Sequence, residues 1–243
     1  MKTVLVVPAY NEARRLDLRA YGEALGEEQE LQLLFVDDGS SDATAARLGE
    51  LVARHPDRIG VRREPANLGK AEAVRRGMLQ ALESNAAIVG FWDADLATPL
   101  GELPALREPL ERDPAVQVVL GSRVRLLGRR IERRAMRHYL GRVFATAVSL
   151  ALRAPVYDTQ CGAKLFRAGA ALREALATPF QSRWIFDVEL LARLGRRIPG
   201  GLLLGACEVP LRSWTEVGGS RVRWHAFLRA PVELLRIYRR ELR

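Results

Sequence analysis

Lysine is scarce in this chain: of 38 basic residues only Lys2, Lys70 and Lys164 are lysines, and the rest are arginines. Cysteine is scarcer still. Cys161 and Cys207 lie far apart, with no CxxC or Cys/His spacing, which excludes a disulfide framework or a zinc finger and leaves two buried or half-buried thiols. Long apolar runs are missing as well. The apolar start at Val4–Val7 breaks at Pro8, too soon for a signal-peptide core, and no stretch approaches the roughly 20 apolar residues that cross a bilayer. The chain is therefore expected in the cytoplasm, peripheral on the inner face of a membrane at most. Internal repeats and low-complexity linkers are absent, and with 48% hydrophobic and 28% charged residues the 243-residue chain can bury a substantial core.

Acid is in short supply along two stretches. Between Arg123 and Arg142 eight arginines face one acid, Glu132, and from Arg221 to Arg243 seven arginines face Glu233 and Glu241. With a net charge of +9, such patches suit phosphate-rich partners: nucleic acid, anionic lipid or a phosphorylated substrate. A solvated basic surface accounts for them equally well, so charge alone does not decide. No helix-turn-helix, zinc-finger or RNA-binding signature accompanies the charge, which argues against nucleic acid.

What is present is strand–helix alternation. Thr3–Val7, Leu31–Val36, Ala87–Trp92 and Val116–Leu120 are short continuous apolar runs, as strands buried on both faces of a parallel sheet require. Helical patterns over Asp42–Arg54, capped by Ser41 or Asp42, and Lys70–Glu83 lie between them. Together they predict an α/β fold with an open, mostly parallel Rossmann-like sheet flanked by helices. In such sheets ligands bind outside the carboxyl ends of the strands, where the polar clusters 8–12, 37–42 and 93–95 fall. Further on, Arg-rich amphipathic helices are predicted over 130–152 and over 221–243. The first carries Met136, Tyr139, Leu140, Val143, Phe144, Ala147, Val148 and Ala151 at helical spacing. The second has Trp224, Phe227, Leu228, Leu235 and Tyr238 on one face. Either stripe packs on the core or, with its arginines, lies at a membrane surface.

Chemistry concentrates at the strand ends. Asp93 and Asp95 follow an apolar strand, and two carboxylates in the turn there can approach one hard cation, Mg²⁺ or Mn²⁺. A cation so held bridges the two phosphates of a nucleotide and neutralises a leaving diphosphate. Asp37 and Asp38 can accept from a base N–H or a ribose hydroxyl, beside Gly39, which allows a turn barred to bulkier residues. Asp42 serves either as a ligand or only as a helix cap. Asn67-Leu68-Gly69-Lys70 forms a loop that can close on a nucleotide.

The ordered motifs Val-Pro-Ala-Tyr-Asn-Glu (7–12), Val-Asp-Asp-Gly-Ser-Ser-Asp (36–42), Asn-Leu-Gly-Lys (67–70), Asp-Ala-Asp-Leu (93–96) and Gly-Ser-Arg (121–123) resemble family 2 glycosyltransferases. The segments 158–167, 183–191 and 214–220 look like the branch of dolichyl-phosphate β-glucosyltransferases and polyprenyl-phosphate hexose synthases. The resemblance implies a GT-A fold over 1–243, a single catalytic domain. Its nucleotide-sugar half would be 1–122, its acceptor half 123–220, and a basic helix would follow over 221–243. It implies that Pro8, Tyr10 and Glu12 line the base and ribose pocket, with Asp38 or Asp37 accepting from the base. Lys70, Asp93 and Asp95 would hold the nucleotide sugar, with the metal on Asp93 and Asp95. Arg123 and the nearby Arg130, Arg133 and Arg134 would meet acceptor phosphate, while 158–164 and Asp187 would surround sugar and acceptor. One departure stands out: relatives read Asn-x-Gly-Lys-Gly, whereas Ala71 and Glu72 follow Lys70 here.

The expected activity is inverting transfer of a hexose, glucose from UDP-glucose, to a polyprenyl phosphate. Such an acceptor oxygen is already ionised, so catalysis reduces to alignment and stabilisation of the leaving diphosphate. A hydroxyl acceptor would instead need a base, Asp187 or secondly Asp158. Rival folds fit less. A receiver-type module needs about half this length and leaves the Arg-rich segment without a purpose. A haloacid-dehalogenase-like phosphatase lacks its later acidic pair and lysine.

Overall fold

The computed structural model describes residues 1–132, 135–217 and 225–242, with side chains left out over 135–140 and 225–229. Nine strands are described: β1 (Thr3–Ala9), β2 (Leu31–Asp37), β3 (Ile59–Arg63), β4 (Ile88–Trp92), β5 (Val118–Ser122), β6 (Arg130–Glu132), β7 (Ala163–Arg167), β8 (Ala206–Pro210) and β9 (Ser213–Thr215). Seven of them form one sheet in the order β3-β2-β1-β4-β7-β5-β8, while β6 and β9 pair separately. Every pairing in the large sheet is parallel except those of β7, which runs antiparallel between β4 and β5.

The continuous apolar runs make sense because both faces are covered. Successive strand residues point to opposite sides, so Val4 and Val6 enter one cluster while Leu5 and Val7 enter the other. On the first face lie α3 (Lys70–Ala81), through Ala71, Val74 and Met78, and later α5 (Ala135–Leu152) and α7 (Phe186–Gly195). The second face is covered by α1 (Leu18–Glu27), α2 (Thr44–Arg54) and α4 (Leu103–Arg112), which bury Tyr21, Leu48 and Leu106 among others. The order 3-2-1-4 reverses direction between β1 and β4. That reversal opens a crevice at the carboxyl ends of these two strands, the place where open α/β sheets take ligands.

Helix boundaries differ from the sequence expectation. The Arg-rich helix expected over 130–152 begins at Ala135, and Arg130 instead sits in β6. The triplet Arg130-Ile131-Glu132 alternates exposed, buried, exposed and pairs with β9 some eighty residues away, so a distant partner overrides the local helical pattern. Helix α2 starts two residues beyond Asp42, whose Oδ1 accepts from the Thr44 amide at 2.9 Å. The last helix, α9 (His225–Ile237), passes into a short π turn at Tyr238–Leu242, and it buries Ala230 and Ile237 while Leu235 is exposed, contrary to the expected face. Trp224 lies outside the described residues. Both cysteines are free, Cys161 buried and Cys207 half-buried.

Gly90, fully buried in β4, marks how closely β4 and β7 approach. A Cβ there would lie well inside van der Waals contact of the Lys164 carbonyl oxygen, a backbone atom that cannot step aside. Gly90→Ala should lower unfolding free energy by about 2–3 kcal/mol in urea denaturation. Gly101→Ala, where no atom lies within 4 Å, is the matched control and should leave the midpoint nearly unmoved.

Candidate active site

Four loops converge on that crevice, and each is tied to its neighbour. Asn11, in left-handed backbone at φ 51°, accepts from the Ser41 amide at 2.8 Å, and its own amide donates to Ser40 Oγ at 2.9 Å. The Glu12 amide donates to Thr44 Oγ1 at 2.7 Å. The end of β1 is thereby locked to the turn after β2. Gly39, at φ 71°, allows the next loop to lie against this turn, because a Cβ there would strike the backbone of Ala66 and Asn67 at 2.6–2.8 Å. Asp38 then holds that loop with both oxygens: the amides of Leu68 and Gly69 donate to it at 2.8 and 2.9 Å. Burial pushes the Asp38 carboxyl up, against those two bonds. Asp37 caps its own turn, accepting from the Ser40 amide at 3.0 Å.

The loop held by Asp38 delivers Lys70 to the Asp93–Asp95 turn. Lys70 Nζ donates to Asp93 Oδ1 at 2.5 Å. Asp95 has its own cation, with Arg15 Nη1 3.8 Å from Oδ2, and Arg15 also reaches Glu12 Oε1 at 2.5 Å. The turn itself is built from buried partners. Tyr21 donates its hydroxyl to the Ala94 carbonyl at 3.1 Å, Trp92 Nε1 donates to the Thr98 carbonyl at 2.7 Å, and Leu96 adopts φ 50°. Burial pushes the Asp95 carboxyl up, and the neighbouring Asp93 adds to it. Burial works to lower Lys70, but the carboxylates of Asp93, Asp187 and Asp95 outweigh it and hold the ammonium charged.

Asp93 also meets the other half of the chain. Its amide donates to the Gly162 carbonyl at 2.9 Å, and its carboxylate occupies the space that a Cβ on Gly162 would fill. Beside it, Arg123 grips Asp158 with a fork: Nε donates to Oδ2 at 2.6 Å and Nη2 to Oδ1 at 2.8 Å. The Trp214 ring lies 5.3 Å from the same guanidinium. Glu208 on β8 holds this corner from below, accepting from the amides of Tyr157 and Asp158 at 2.6 and 2.8 Å. Deeper still, Lys164 is fully buried; its Nζ donates to Asp187 Oδ1 at 2.7 Å and to the Cys161 carbonyl at 2.5 Å, over the Phe91 ring.

The expected residues therefore fall into three groups. Pro8, Tyr10, Glu12, Asp37, Asp38, Lys70, Asp93 and Asp95 all sit in the last residues of β1 and β2, just past the ends of β1, β2 and β4, or at the start of α3. Arg123, Asp158 and Asp187 join them from the second half, where the two acids are engaged by Arg123 and Lys164. Arg130 is exposed on β6, while Arg133 and Arg134 lie outside the described residues. Glu72 turns away from Lys70 to Arg75 and Arg76, each at 2.8 Å, so its charge is spent there. Sequence reading missed Arg15 and Glu208, and placed Gly162 only within the 158–164 segment. Glu208 did carry a signal, an acid inside the apolar strand Ala-Cys-Glu-Val-Pro.

Among the described residues no three His, Cys, Asp or Glu side chains converge to cage a metal. The Asp93–Asp95 pair still fits a hard divalent ion, which is bound through one or two carboxylates with the remaining ligands coming from water and substrate phosphate. The cation already seated on Asp93 shows that this carboxylate faces an accessible, charge-accepting position, with a third of its side chain exposed.

Solved structures share this fold. A crystal structure of glucosyl-3-phosphoglycerate synthase from Mycobacterium tuberculosis, in complex with phosphoglyceric acid, superposes with a TM-score of 0.73 at 21% identity, covering 97% of this chain and 79% of that one. The fold is thus that of the GT-A glycosyltransferases. The sequence model for glycosyl transferase family 2 matches residues 4–173. Dolichyl-phosphate beta-glucosyltransferases align over nearly the whole chain. One from Trichomonas vaginalis is 32% identical over 97% of this chain and 70% of its own length. The Drosophila melanogaster enzyme is 34% identical over 90% and 68%, and the Mus musculus enzyme 33% identical over 98% and 75%. The chain belongs to glycosyl transferase family 2 and is a glycosyltransferase.

The buried Lys164–Asp187 pair invites a direct test. Lys164→Met strands a carboxylate without its cation and should cost about 3–5 kcal/mol of stability in urea denaturation. Adding Asp187→Leu removes the stranded charge and should restore most of that loss. A single variant as stable as the wild type would show that the pair is not held as two charges.

Proposed function

We propose that this protein transfers a glucosyl group from UDP-glucose to a polyprenyl or dolichyl phosphate, with inversion at the anomeric carbon. What carries the reading is the reach of the likeness to the dolichyl-phosphate enzymes. It extends over 97% of the chain and so includes the acceptor side, Arg123 to Asp187, as well as the nucleotide side. The site's electrostatics agree. Both acids that a hydroxyl acceptor would need as a base are tied to cations, Asp158 to Arg123 and Asp187 to Lys164. An acceptor phosphate needs no base, because its oxygen attacks already ionised.

The roles then follow from position. The base and ribose lie against Pro8, Tyr10 and Glu12 at the end of β1, with the turn of Asp37 and Asp38 beside them. Asp93 and Asp95 hold a Mg²⁺ or Mn²⁺ ion, which when bound neutralises the diphosphate as it leaves. Lys70 adds a positive charge on the same side. Arg123, steered by Asp158 and Glu208 and backed by Trp214, faces the acceptor phosphate with the remaining N–H donors of its guanidinium. Gly162, packed on Asp93, brings the donor and acceptor sides within one crevice, so alignment supplies much of the rate.

Peripheral contact with an anionic membrane completes the reading. Among the described residues no helix is long and apolar enough to cross a bilayer. The outward face of α5 instead shows Val143 and Leu150 at 73% and 76% exposure, and Leu127 on the loop before β6 is fully exposed among the arginines of 123–130.

The test uses radiolabelled UDP-glucose with a short polyprenyl phosphate, with and without EDTA. Labelled lipid should appear in the organic phase only when divalent metal is present. Asp95→Asn should lower that rate by about 10²–10³-fold, as loss of several kcal/mol of charge stabilisation implies, while thermal unfolding stays close to wild type. Labelling of a hydroxyl acceptor in place of the lipid, or full turnover in EDTA, would overturn the corresponding part of the reading.

A further inference from the structure

We propose that Lys70 is a resident counter-ion on Asp93 that a divalent cation has to displace, so that the ion and the nucleotide enter the site as a coupled pair. The inference rests on the reading of Asp93 and Asp95 as the carboxylates that hold the ion. Its basis is the way the chain neutralises these two acids by itself. The Lys70 ammonium is 2.5 Å from Asp93 Oδ1, and the Arg15 guanidinium is 3.8 Å from Asp95 Oδ2. A divalent ion arriving alone meets a carboxylate pair whose charge is already balanced, and it must push a like charge aside.

The two ends of Lys70 are held very differently. Its root is fixed: it opens α3 directly after the Leu68–Gly69 turn that both Asp38 oxygens clamp. Its tip lies nearer solvent, 44% exposed against a partner that is 34% exposed, so it can part from Asp93 toward water. Two of the other cations of the site are built to stay. Lys164 is 1% exposed and has a second acceptor in the Cys161 carbonyl, and Arg123 is 14% exposed with a two-pronged grip. Of these ion pairs, Lys70–Asp93 is the one that can open without leaving a charge buried and alone.

A nucleoside diphosphate reverses the balance. It offers phosphate oxygens to the divalent ion and a new anionic partner to the displaced ammonium, which a four-carbon stem can reach from its fixed root. Each ligand then removes an obstacle to the other, and the coupling is reciprocal by linkage. Without a nucleotide, Lys70 keeps the two carboxylates from repelling each other and keeps stray cations out.

The experiment is a Mn²⁺ titration followed by electron paramagnetic resonance of the free ion, with and without UDP, on the whole chain. In the absence of UDP, Lys70→Met should bind Mn²⁺ about tenfold more tightly than wild type, and the factor by which UDP tightens Mn²⁺ binding should shrink by a similar amount. Lys70→Arg, which keeps the charge, should stay within about twofold of wild type. Lys2→Met, at the opposite end of β1, controls for net charge and should change nothing. Equal Mn²⁺ affinity in wild type and Lys70→Met, or no Mn²⁺ binding by either with UDP present, overturns the inference. These outcomes are independent of the lipid assay. Tighter Mn²⁺ binding in Lys70→Met alongside failed glucosyl transfer would sink the proposed acceptor and leave the counter-ion role standing.

Discussion

A carboxylate taken out of water has to find a cation, and that requirement organises this site. Asp93, Asp95, Asp158 and Asp187 gather around one crevice, and each faces a positive side chain: Lys70, Arg15, Arg123 and Lys164 respectively. Burial pushes the Asp95 carboxyl up, and the neighbouring Asp93 adds to it, even with Arg15 close by. The cations set against these acids offset their mutual repulsion. The loops are arranged to deliver those partners: the Asp38 clamp presents Lys70, and Glu208 fixes the segment that presents Asp158.

The sheet explains why residues from distant parts of the sequence meet here. Between the parallel strands β4 and β5, the antiparallel β7 is inserted, and its approach begins at Cys161 and Gly162. That insertion brings the 158–164 loop to the rim where β4 ends, so Asp93 packs on Gly162 and Lys164 lies over Phe91. The pairing of β6 with β9 then places Trp214 over Arg123, anchored by Glu102, which accepts from the amides of Arg212 and Ser213 at 3.0 and 2.9 Å. The two halves of the crevice are joined by the sheet itself.

How much of this the sequence disclosed depends on whether the cause was local. Strands β1, β2 and β4 were legible because burial on both faces demands unbroken apolar runs, and the acids after them stood out for the same reason. Asp93 and Asp95 needed nothing more. Strand β7 was not legible: five residues with a buried lysine second and an arginine last resemble no strand until Asp187, twenty-three residues away, is known to receive that lysine. The same holds for Arg130, whose strand state depends on Ser213, and for Arg15, which no local pattern distinguishes from the other arginines. Asp38 shows a subtler limit. Its position at the site was readable, but its hold on the Leu68–Gly69 turn depends on a loop thirty residues downstream.

Burial then sorts the ion pairs by what they can do. A pair in the interior cannot separate without stranding a charge, so Lys164–Asp187 and Arg123–Asp158 act as fixed parts of the frame. A pair at the solvent edge exchanges its partner at little cost, because water screens both charges as they part. At the exposed carboxylate of Asp93 the chain places Lys70, whereas Asp158 is gripped by the two-pronged guanidinium of Arg123. That choice follows from side-chain chemistry. An ammonium on a flexible stem gives up one contact and takes another, whereas a planar fork loses two bonds at once. In an arginine-rich chain one of the three lysines, Lys70, stands at this exposed edge of the crevice, on the ion pair that parts most easily.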